Sequence, residues 1–68
     1  MTIVHLFPSG SIIRQRIYGL SEARIELAHI LRAMRNIGLS VTRLGHQEFS
    51  ISGTLFGSPY QRIVRIDS

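Results

Sequence analysis

The chain has 68 residues, 44% of them apolar, with no Cys and no Trp. Its eight basic residues are all Arg, against four acidic ones, which leaves a net charge of +4 and a pI near 11.2. A chain this short forms one small domain, residues 1–68, that buries only about 60% of its unfolded surface. A multidomain enzyme and a coiled coil are excluded, and the apolar runs fall far below the ~18 residues of a membrane span.

Ile3 to Phe7 is a short run of strand formers, and Phe7-Pro8-Ser9-Gly10-Ser11 carries the Pro and Gly of a turn. Ile12 to Tyr18 alternates, so residues 2–18 read as a β-hairpin. Ser21 then reads as the N-cap of a helix over 22–37, with Leu20 and Ile25 as a hydrophobic staple and Glu22 in the first turn. Ala23, Leu27, Ile30, Leu31, Met34 and Ile37 recur at spacings of three and four and make one apolar stripe. Glu26, His29 and Asn36 fall opposite, with Arg24, Arg32 and Arg35 flanking. Gly38 fits the left-handed position that closes such a helix, with Leu39 as its apolar follower.

Ser40 to Leu44 reads as a strand and Gly45-His46 as a two-residue hairpin loop. Gln47 to Leu55 alternates, with Phe49, Ile51 and Leu55 on one face and Glu48, Ser50, Ser52 and Thr54 on the other. In that register Arg43 faces Glu48. Phe56-Gly57-Ser58-Pro59 reads as a turn, Tyr60 to Ile66 as the last strand, and Asp67-Ser68 as the end. The order ββαβββ predicts an α+β fold: an antiparallel sheet of about five strands with one helix packed on one face. A ubiquitin-like β-grasp shares the opening hairpin and helix, and would pair its first and last strands in parallel.

The positive charge favours acidic partners, whether nucleic acid or an acidic protein face. Arg adds a planar fork that takes phosphate or carboxylate in bidentate fashion, although a GC-rich coding sequence would also replace Lys by Arg throughout. The absence of Cys removes disulfides and thiolate metal sites, and the first residues lack a basic leader, so a soluble, cytoplasmic protein is expected.

Alternation places Arg14, Arg16 and Tyr18 on one face of the second strand. One helix covers one sheet face only, so these three are expected on the open face, with Arg43 and either Arg65 or Arg62 nearby. Arg beside an aromatic ring on an open sheet suits single-stranded nucleic acid or an acidic protein surface; the plainer reading is a solvated sheet face. His5, His29 and His46 lack ligand spacing, so no metal and no cofactor is expected. Few carboxylates, no Lys for a phosphate loop and no nucleophile elbow around Ser9-Gly10-Ser11 argue against an enzyme.

Gly19-Leu20-Ser21-Glu22-Ala23-Arg24 leads into a single amphipathic helix. A Gly and a three-strand meander follow, ending Arg62-Ile63-Val64-Arg65-Ile66-Asp67. This order of elements resembles small phage-borne inhibitors such as type I anti-CRISPR proteins. The resemblance covers most of the chain through a generic pattern, without catalytic residues to carry over. It implies a non-enzymatic binder that docks a basic face, here Arg14, Arg16, Tyr18, Arg43 and Arg65, on a host protein or ribonucleoprotein and blocks it. A general nucleic-acid-binding module and a homodimeric structural subunit are the alternatives.

Overall fold

The computed structural model describes Met1 to Asp67; the expected end at Ser68 lies outside the described residues. Five strands and one helix follow in the order β1 (Thr2–Leu6), β2 (Ile12–Arg16), α1 (Leu20–Asn36), β3 (Ser40–Gly45), β4 (Glu48–Leu55) and β5 (Ser58–Asp67). The strands form one sheet in the order β2-β1-β5-β4-β3, antiparallel at every pairing. The ββαβββ α+β fold is therefore present. The first and last strands lie side by side and antiparallel, which removes the β-grasp alternative.

The helix packs on one face. Ile3, Leu27, Leu31, Leu39, Ile51 and Val64 form the buried cluster, with Ile17, Ile30, Met34, Val41, Phe49, Tyr60 and Ile66 partly buried around it. Cross-strand partners point to the same side of a sheet, so the pairs Ile3↔Ile66, Phe49↔Val64 and Val41↔Ile51 define the helix side.

The helix begins earlier than its sequence suggests. Gly19, extended at φ −142° and ψ 168°, is the N-cap, and no side chain caps this end; the Ala23 N–H donates to the Gly19 carbonyl at 2.9 Å. Ser21 thus lies inside the first turn, and Ile25 faces solvent instead of forming the staple. Burial of Ala23, Leu27 and Leu31 sets the rotation of the helix and overrides the preference of Ser21 for a cap. The C-terminal end follows expectation. Gly38 takes φ 94°, and the Gly38 and Leu39 N–H groups donate to the Arg35 and Met34 carbonyls, the paired closure that a left-handed Gly allows.

The β3–β4 hairpin turns one residue later than expected, and the β4–β5 turn is shorter than expected. The β3–β4 loop is His46-Gln47, with Gln47 in the left-handed region. A register shift between Arg43 and Gly45 sets Arg43 opposite Phe49, while Glu48 pairs with Gly45 and, on its other side, with Arg65. The β4–β5 turn is Phe56-Gly57, and β5 already begins at Ser58. Pro59 fits inside a strand for two reasons. The closing pair of a two-residue hairpin is hydrogen-bonded and the next is not, so its nitrogen points outward, and β1 reaches only to Ile63 on that side.

Candidate binding surface

The side of the sheet away from the helix carries three cross-strand rows. One runs Arg14–Val4–Arg65–Glu48, a second Ile12–Leu6–Ile63–Ser50, and a third Arg16–Thr2–Asp67. Nothing in the described residues covers this face, yet Val4 is only 2% exposed. Its flanking neighbours are Arg14 and Arg65, whose aliphatic stems cover apolar surface while their guanidinium groups reach water. The face is therefore an apolar strip under a basic rim.

The basic rim is uneven. The Arg65 Nε donates to Asp67 Oδ1 at 3.0 Å in a half-exposed ion pair, and Glu48 stands across from Arg65, so that charge is locally balanced. Arg14 and Arg16 are exposed on the edge strand β2 and make no ion pair among the described residues. Tyr18 follows just past the strand end with its side chain in water, beside Met1, Thr2 and Arg16.

Four of the five residues expected to act together, Arg14, Arg16, Tyr18 and Arg65, thus share this side or its corner. Arg43 does not. The register shift places it opposite Phe49, on the helix side of the other edge strand. There its Nε donates to the Gly45 carbonyl at 3.1 Å, and with Arg24 and His46 it rims a groove of about 280 Å³ floored by Leu27, Leu31, Phe49 and Ile66. Arg62 also points to the helix side, because it pairs with Ile51.

A polar cluster around Arg62 escaped the sequence reading. The Arg62 Nη1 lies 3.4 Å from Nδ1 of the buried His5, and its guanidinium carbon lies 5.9 Å from the centres of both the Phe7 and the Tyr60 rings. The buried Nε has no hydrogen-bond partner. Burial first, and the Arg62 charge second, push the His5 pKa down, against a smaller opposing effect of the Gln15 hydrogen bond. His5 is held as a neutral acceptor for Arg62. Strand alternation carried the signal, since His5 shares a face with Ile3 and Arg62 with Tyr60 and Val64.

No three His, Asp or Glu side chains converge among the described residues, and no described helix is long and apolar enough to cross a membrane. The chain matches no protein-family model, and neither a curated protein nor a solved structure matches it.

Proposed function

We propose that this protein is a small non-enzymatic binder whose open sheet face docks on an acidic surface of a cytoplasmic protein assembly and blocks it by occupancy. This is the mode of action of the phage-borne inhibitors, anti-CRISPR proteins among them, that its element order resembles. The observation that carries the reading is the exposure of Arg14 and Arg16, which make no ion pair among the described residues, beside the exposed Ile12 and the half-buried Leu6 and Ile63. Apolar surface rimmed by unpaired charge is the composition of an interface.

An acidic protein is favoured over nucleic acid by what the central strands present. Sheets that hold single strands stack bases on aromatic side chains. Here β1 and β5 offer Val4, Leu6, Ile63 and Arg65 on the open side, and the rings nearest to it, Tyr18 and Phe7, sit at its two ends and not on the strands. Arg14 and Arg16 emerge about 7 Å apart, a spacing that suits two neighbouring carboxylates and successive phosphates alike. Each lost charge-assisted contact is worth roughly 1.5–3 kcal/mol.

The test is capture from nuclease-treated host lysate by the parent and by the Arg14→Glu/Arg16→Glu variant. The expected result is an unchanged circular dichroism spectrum with loss of the captured partner. Equal capture by the folded variant overturns the reading. A partner lost on nuclease treatment, with steep salt dependence, points to nucleic acid instead.

A further inference from the structure

One end of the molecule is poor in ionic side chains, the half-buried Arg62 beside the Phe7 ring being the nearest charge. Neither Met1 to Ile13 nor Phe49 to Gln61 contains an Arg, Asp or Glu, although the chain holds twelve such residues. The two stretches meet where the β1–β2 turn approaches β5. There Leu6, Phe7, Pro8, Gln61 and Ile63 line an open notch of about 160 Å³. That is close to the ~150 Å³ apolar cavity that takes up a benzene molecule.

The same end carries a projecting ring. β1 pairs with β5 only as far as Leu6↔Ile63, and β3 with β4 only as far as Ser40↔Ser52. Beyond these points β4 and β5 continue as a two-stranded arm through Gly53↔Tyr60, Thr54↔Pro59 and Leu55↔Ser58. A two-stranded ribbon alone is marginal in water. At its tip both turn residues have positive φ, 52° for Phe56 and 78° for Gly57, the pattern of a type I′ turn, which favours Asn-Gly. Phe56 adopts a strained backbone there with 98% of its surface exposed. Its own notch is out of reach, since Gln61 and Ile63 lie roughly 16–23 Å away along β5.

We propose that the arm joins two copies of this chain: the Phe56 ring of each copy enters the Leu6–Pro8–Ile63 notch of the other around a two-fold axis. Both halves of the contact are on one chain, as a closed symmetric dimer requires. Elsewhere two copies of a +4 chain repel one another, whereas this end brings few charges together. The contact occupies Leu6 and Ile63, so a dimer would present Arg14, Arg16 and Tyr18 to a partner and the apolar strip would be available to it only in the monomer.

The experiment is sedimentation of the full chain from micromolar to millimolar concentration, for the parent and for Phe56→Asn. The parent is expected to shift from 7.7 kDa to twice that mass. Phe56→Asn is expected to remain monomeric while melting at a higher temperature than the dilute parent, because Asn suits the left-handed turn. Gln61→Arg, at an exposed position on the notch rim, preserves the fold and moves dimerisation to higher concentration. A parent that stays monomeric at millimolar concentration overturns the proposal. So does dimerisation of Phe56→Asn or of Gln61→Arg at the parent's concentration.

Discussion

The two faces of the sheet use the same strands for different ends. On the helix side Ile3, Ile51 and Val64 have no exposed surface, and Leu27, Leu31 and Leu39 close over them. On the open side Val4, between Arg14 and Arg65 on the neighbouring strands, is alone fully buried, and Ile12 is 47% exposed. The difference teaches that stability is concentrated on one face, which leaves the other free to carry charge and unburied apolar surface. Substitutions should therefore divide by face: large losses of stability on the helix side, and small ones on the open side however strongly they affect binding.

The largest effect is expected at Leu31. It lies over the core at 7% exposure, and Leu31→Ala should cost about 2–5 kcal/mol, most of what a domain this small possesses. Urea or thermal unfolding measures it; a variant that melts like the parent would show that the helix face is not the seat of stability.

Gly53 comes next. It holds φ 150°, and a Cβ there would stand 2.9 Å from Leu39 Cδ2. Gly53→Ala should cost about 1–3 kcal/mol from backbone strain and crowding, read as a lower denaturation midpoint with an unchanged slope. An unaltered midpoint would mean that Leu39 yields freely.

A smaller effect comes from His5. Its pKa in the fold lies below the ordinary 6.5, chiefly through burial and then through Arg62. The unfolded chain thus binds the proton more readily than the native one. Stability is fully present above pH 6.5 and declines as pH falls below that value. His5→Gln should flatten this decline in a series of unfolding curves, and a decline of equal size in the variant would assign it to other groups.

The smallest change in stability is expected on the open face. Arg14→Glu with Arg16→Glu should alter unfolding by no more than about 0.5 kcal/mol per site, as exposed sites usually do. A larger loss would mean that the Arg14 stem over Val4 contributes to the fold, and the separation of faces would be weaker than stated.

Much of this division was legible in the sequence. The helix stripe from Ala23 to Met34, the alternation of Phe49 and Ile51, and the shared face of Arg14 and Arg16 follow from period alone. What failed was register. With Gly45-His46 as the loop, Arg43 opposes Glu48; the turn at His46-Gln47 and the shift beside Gly45 set it against Phe49 instead. A slip of one residue carries a side chain to the other face, and so Arg43 left the basic group. Pro59 was placed in the turn and not in β5 because a single sequence does not show that β1 stops short of it. Arg62 was expected near the open face because charged residues are seldom buried without partners, and two of its partners, His5 and Phe7, come from the far end of the chain while only Tyr60 is on its own strand.

The most direct measurement compares two charge-matched variants for affinity to the captured partner. Arg14→Glu/Arg16→Glu on the open face and Arg32→Glu/Arg35→Glu on the exposed side of the helix each lower the net charge by four, from +4 to zero. The account predicts that both variants fold and that the open-face pair alone loses binding. Equal loss in both would make binding a property of overall charge, and loss confined to the helix pair would place the interface on α1.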